Sequence, residues 1–265
     1  MSRAVIRSGF TLVEVLVVTV IIGILLALVS AAVFPALQSA KEFAITSEAS
    51  QLSMAMESLK AEYGTGNPPA DLQNPNQSTS EIYKFVSRTF PRYDISNLQT
   101  DLPPALGVAA AADIKFDPGN ALVFWLVGFS DNPAAPFDGH VDRMNGTKMI
   151  SPFYEFDIDR LGTDSEGYIR YFPKLAVDDY ADADEQRAFL YFDKKCYDDD
   201  HSYLTFQKPY LKSGSTTTYS NPRGFQIINA GLDGQLGVGG DTYTDADADN
   251  LTNFSGGTMG DYTEE

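Results

Sequence analysis

The chain has 265 residues, 43% apolar and 12% aromatic, enough to fill a core and to exclude wholesale disorder. Its formal charge of −17, from 19 Lys and Arg against 36 Asp and Glu, lacks the basic footprint that nucleic-acid binding requires and suits a solvated surface or divalent cations. The single cysteine, Cys196, excludes an intramolecular disulfide and is expected as a small buried apolar side chain.

The chain begins MSRAVIRSG, with Arg3 and Arg7 as the only charges before Gly9. Then follows FTLVEVLVVTVIIGILLALVSAAVF, uncharged from Val15 to Phe34. That is about the 20 residues a helix needs to cross the hydrocarbon core. A secretory signal peptide would have a shorter apolar stretch ending at a small-residue cleavage site, whereas here the run passes Ala31 and Ala32 into more helix. The positive-inside rule puts Arg3 and Arg7 in the cytoplasm and the bulk of the chain outside it.

Beyond Phe34 the pattern turns one-sided. Leu37, Ile45, Leu52, Met56, Leu59 and Tyr63 recur at helical spacing, with Lys41, Glu42, Glu48, Glu57 and Lys60 filling much of the remainder. One helix is therefore expected over residues 10–63, stopped by Gly64-Thr-Gly-Asn-Pro-Pro. Pro35 should kink it, and Gly23 is a second weak point. Glu14 stands alone as a carboxylate within the apolar segment, where ionisable groups are costly and need a partner.

The stretch GFTLVEVLVVTVIIGILLALVS resembles the processing motif of type IV prepilins and type II secretion pseudopilins. The resemblance implies a membrane prepilin peptidase that cuts between Gly9 and Phe10 and methylates the new amine. It also implies that Glu14 pairs with the N-terminal amine of a neighbouring subunit during assembly. Elementary electrostatics agrees, because opposite charges in low dielectric attract strongly and each alone would carry a large desolvation penalty. The Phe10 amine lies about 6 Å along the helix axis from Glu14, so pairing within one chain is the alternative before assembly.

After the helix, residues 71–104 are rich in Asn, Gln, Ser and Pro and read as loop with minor helix. The run 121–129, ALVFWLVGF, reads equally as buried strand or core helix. Aromatic-rich runs at 153–158, 167–172, 189–192 and 225–229 read as strands. The expected fold class is α+β, a long N-terminal helix packed on an antiparallel sheet, with a leader at 1–9, the helix at 10–63 and an extracytoplasmic domain at 64–265.

The segment from Ile227 is similar to the end of major pseudopilins, with Asn229, Gly231, Asp233, Gly234 and Gly237 standing in an S-x-G-x-D-G-x-x-G pattern. That similarity implies calcium, with Asp233, Asp241, Asp245, Asp247 and Asp249 as candidate ligands. The same stretch fails as an EF-hand, because Asn250 and Gly256 stand where Gly and Glu are required. The clusters around Asp178 and Asp198 read as solvated faces. Neither His140 nor His201 sits in HExxH, and no GxSxG or P-loop is present, so no enzyme is expected. The expected protein is a structural subunit of a type IV pilus-like or pseudopilus filament. It sits in the inner membrane by one span, in contact with lipid, prepilin peptidase, an assembly platform and other pilin-like subunits. The alternative is an anchored or filament-tip binding module built on the large acidic domain.

Overall fold

A computed structural model describes residues 11–147, 151–163, 167–174, 187–197, 208–212, 214–237, 239–240 and 243–262. The chain divides into two compact units, residues 1–41 and 42–265, and helix α1 (Leu12–Tyr63) contributes to both. Its helical assignment runs without a break through Gly23 and Pro35. The expected stop at Gly64 is borne out, with that residue at φ 61°.

In the first unit, every residue from Thr11 to Ala40 is exposed. The helix reaches a mean hydropathy of 3.0 in its most apolar window, long and apolar enough to cross a membrane. Two hydroxyls within the apolar run bond internally, Thr19 Oγ1 to the Leu16 carbonyl at 2.9 Å and Ser30 Oγ to the Leu26 carbonyl at 2.8 Å. Such back-bonding is what a helix in hydrocarbon requires, where water supplies no partners.

In the second unit the remaining half of α1 buries Ile45, Ala49, Leu52, Met56 and Leu59, one stripe at alternating steps of four and three. Asn253 Nδ2 donates to Ser53 Oγ at 3.3 Å, and the Lys60 ammonium stands 5.7 Å from the Phe225 ring centroid. The strands of the C-terminal sheet thus lie against this helix, as the α+β expectation requires.

Helix α4 (Pro118–Leu126) is buried over its whole length and settles the ambiguous apolar run as helix. Asp117 caps it by accepting from the Asn120 amide, and Pro118 fits the first turn because its missing N–H has no partner to lose there. The same carboxylate forms a buried ion pair with Arg170, whose Nε lies 3.0 Å from Asp117 Oδ2. Around α4 the rings of Phe124, Trp125, Phe129 and Phe137 meet edge-on, tilted or stacked at centroid distances of 4.9–6.2 Å.

Residues 71–104 hold more helix than their composition suggested: α2 (Glu81–Thr89) and most of α3 (Leu98–Leu106). Ser80 caps α2, and Gly107, at φ 81°, closes α3 in the left-handed conformation. Pro103 and Pro104 lie within α3 and disguise it as loop in the sequence. A short helix α5 (His140–Met144) follows.

Strands β1 (Leu161–Thr163) and β2 (Ile169–Tyr171) form an antiparallel pair. Strands β3 (Leu190–Asp193), β4 (Phe225–Asn229) and β5 (Leu251–Thr252) form an antiparallel sheet in the order β3-β4-β5. Three of the four expected strands appear. The exception is 153–158, which is no strand: the Phe153 and Tyr154 amides both donate to the Leu126 carbonyl, so this aromatic run closes the end of α4.

Candidate functional site

The N-terminus of α1 is a reciprocal cap. The amide of Thr11 and its hydroxyl each donate to Glu14 Oε2 at 2.8 Å, and the Glu14 amide donates back to Thr11 Oγ1 at 3.3 Å. This is the capping-box arrangement, which satisfies orphan donors at both ends of the first turn. The TLVE spacing carries that signature, so Thr11 is a site residue that a reading focused on charge passes over. Glu14 therefore has a partner within its own first turn. Its Oε2 takes both donors, and its Oε1 accepts none among the described residues. Gly9 and Phe10 lie outside the described residues.

A second site candidate is the C-terminal acidic turn. A 3-10 turn at Asp245–Asp247 is held by the Asp247 carboxylate, which is fully buried. Its Oδ1 accepts from Tyr210 Oη at 2.8 Å and the Gly239 amide at 3.3 Å. Its Oδ2 accepts from the Thr244 amide at 2.7 Å and hydroxyl at 2.6 Å. With four donors around it, Asp247 is an anchor whose lone pairs are already used.

Asp249 differs. Oδ2 accepts from the Leu232 and Asp233 amides, each at 2.9 Å, while Oδ1 is buried without a partner. Burial, with the nearby Asp233 charge, raises the Asp249 pKa above the ordinary carboxylate value despite those amides. The Asn250 side-chain oxygen next along the chain is also buried and unpartnered. Asp233 Oδ1 accepts from the Gln235 amide at 2.7 Å, Asp245 is exposed, and Asp241 lies outside the described residues. Among the described residues no three His, Cys, Asp or Glu side chains are grouped as a metal cluster.

The glycine spacing has a packing reason. A Cβ at Gly231 would strike the Asp249 carbonyl, and one at Gly237 would strike the Asp247 carboxylate. Those two glycines therefore admit the acidic turn against the strand that precedes them. Asn229 supports the turn, its Oδ1 accepting from the Gly231 amide at 3.2 Å.

Other singled-out groups are structural. Cys196 is buried, its thiol donating to Asp193 Oδ1 at 3.0 Å, and burial pushes its pKa well up. His140 is buried beneath Phe124 and Phe129. His201 and the clusters around Asp178 and Asp198 lie outside the described residues.

The chain has no match among the curated proteins or the solved structures. Residues 6–30 match the prokaryotic N-terminal methylation motif. That motif, at the head of a long apolar helix, makes the chain consistent with a type IV prepilin-like protein, with membrane anchoring and prepilin-peptidase processing as its implications.

Proposed function

We propose that the chain is a structural subunit of a type IV pilus-like or pseudopilus filament, cut between Gly9 and Phe10, methylated at Phe10 and assembled through α1. The observation that carries this reading is the methylation motif at the capped start of a helix whose apolar side chains up to residue 40 are exposed on every side. Each such side chain left in water would cost about 1.5–3 kcal/mol relative to burial, so the helix needs lipid first and neighbouring helices afterwards. Head-to-tail contacts between identical subunits that do not close into a ring generate a filament. The inner membrane is its station before assembly, with the second unit outside the cytoplasm. Its role is non-enzymatic, and its partners are other pilin-like subunits and an assembly platform. Expressing the chain with a pilus or secretion assembly system, then locating it by immunogold labelling, tests this. Label along sheared filaments supports the reading, and label confined to membranes opposes it.

Calcium at the C-terminal turn belongs to the same proposal. Asp249 Oδ1, buried and without a donor, fits a cation, and Asp233 is the neighbouring charge that a cation would neutralise. Asp247 does not fit as a ligand, being saturated by donors. Asp241 and Asp245 would complete the oxygen set together with backbone carbonyls. A bound ion would supply charge neutralisation and a cross-link where no disulfide is possible.

A further inference from the structure

A cavity of about 490 Å³ opens in the second unit where α1 ends, with the 64–69 turn on one side and α2 and the end of β3 on the others. Three cations line it, Arg88, Lys194 and Lys195, in a chain whose net charge is −17. Its two carboxylates are already engaged. Glu81 pairs with Lys195 and, at 2.9 Å, with Lys84. Asp193 accepts from the Ala70 and Lys195 amides at 2.9 and 3.1 Å and from the Cys196 thiol. The side chains of Arg88 and Lys194 have no ion pair or hydrogen bond among the described residues, and Thr65 Oγ1 is buried in the wall with no partner. The apolar part of the wall is the Tyr63 and Phe85 rings together with Pro69.

We propose that this cavity is a binding site for a small organic carboxylate with an apolar ring, its anion held between Arg88 and Lys194 and its ring against Tyr63 and Phe85. A guanidinium fork matches a carboxylate in geometry, and the orphan Thr65 hydroxyl supplies a further polar contact. The volume falls within the range of about 300–1,000 Å³ typical of small-molecule sites and exceeds what an inorganic anion fills. A site of this kind makes the soluble domain a receptor as well as a filament building block, and it stands independently of how α1 assembles.

The chain supplies its own reporter. Trp125 is the only tryptophan; its ring lies 4.9 Å from Phe85, and its Nε1 donates to the Pro69 carbonyl at 2.9 Å, both residues being in the cavity wall. The test is titration of the full-length protein in detergent with phenylacetate, phenylacetamide and acetate, followed by Trp125 emission and by calorimetry. Phenylacetate should bind saturably at or below about millimolar concentration, with the amide and acetate each at least tenfold weaker. Arg88→Gln and Lys194→Gln, both at exposed positions, should each weaken phenylacetate by about tenfold, roughly the loss of one charge-assisted contact, without moving the melting temperature. Equal binding of the amide removes the anion from the proposal, and equal binding of acetate removes the ring. No saturable response, or unchanged affinity in both variants, overturns it.

Discussion

Glu48 Oε2 lies 2.6 Å from Arg160 Nη2, linking the second half of α1 to the turn that leads into β1. The same carboxylate accepts through Oε1 from Tyr154 Oη at 3.2 Å and Tyr171 Oη at 3.0 Å. Arg160 in turn donates to the Phe172 carbonyl and stacks its guanidinium 4.4 Å from the Tyr171 ring centroid. Burial acts to lower the Arg160 pKa, but Glu48 overrides it and holds the guanidinium above its ordinary value. Burial and the Glu48 charge push Tyr154 up to about 12. Glu48 is thus a helix-to-domain latch with three partners, Arg160, Tyr154 and Tyr171.

Breaking that latch from one side should be costly. Glu48→Ala leaves Arg160 without its counter-ion, a loss of about 3 kcal/mol for a nearly buried pair, and Arg160→Met should cost a similar amount. The double variant should show a coupling energy above about 1 kcal/mol, because the second substitution removes a charge already stranded by the first. Urea unfolding of residues 42–265 measures it. Strict additivity would show that the pair contributes no coupling.

His140 should make stability depend on pH. Its Nε2 faces the Phe124 carbonyl at 3.0 Å and must donate, so Nδ1 accepts from Arg143 Nη2 at 3.3 Å and the ring is neutral. Burial first, and the Arg143 charge second, lower its pKa from 6.5 to about 3. A depressed pKa means the unfolded chain binds the extra proton. The contribution is therefore fully present above about pH 6.5 and is lost as pH falls towards 3, at up to about 1.4 kcal/mol per pH unit. His140→Gln should flatten the stability profile between pH 6.5 and 5, before most carboxylates titrate. An unchanged slope in that window contradicts the assignment.

The Asp249 substitution separates a cation site from a bare acidic turn by sign. Without calcium, Asp249→Asn removes a buried, partnerless, like-charge-repelled oxygen and should raise the melting temperature of residues 42–265 slightly. With millimolar calcium the wild type should gain stability in proportion to binding, and the variant should not. An unchanged wild-type midpoint with calcium or chelator, together with no heat of binding, removes calcium from the account.

Much of this architecture is legible in the sequence where a single physical demand dominates. The uncharged run from Val15 to Phe34 admits only a membrane or helix-packed environment, and the stripe from Ile45 to Leu59 fixes which face of α1 meets the domain. Strands β2, β3 and β4 announce themselves through aromatic and β-branched runs between turn residues. The 153–158 run had the same composition but not the same use, because its backbone donors go to the end of α4, a tertiary choice that no local pattern encodes. Helices α2 and α3 were hidden for the opposite reason: Pro103, Pro104 and the polar residues around them mask a few buried apolar contacts. At the candidate sites, the Asp247 anchor and the Glu48 latch depend on partners far along the chain, Tyr210 and Arg160, and spacing does not reveal them.

Substitution at Glu14 should separate folding from assembly. Glu14→Val removes the acceptor from the Thr11 cap but leaves a longer apolar segment, so membrane insertion should be at least as efficient. Filament formation should fail when the variant is the only subunit present, because the neighbouring subunit's amine loses its counter-charge. Sheared-filament yield set against membrane-fraction yield reads both quantities. Normal filament levels would leave Glu14 with its capping role alone.

Processing at the start of α1 can be read from intact mass together with N-terminal peptide mapping of protein purified from membranes. The expected product is a chain that begins at Phe10 and carries one methyl group on its α-amine. An intact Met1, or a cut after Ala31 or Ala32, would contradict it.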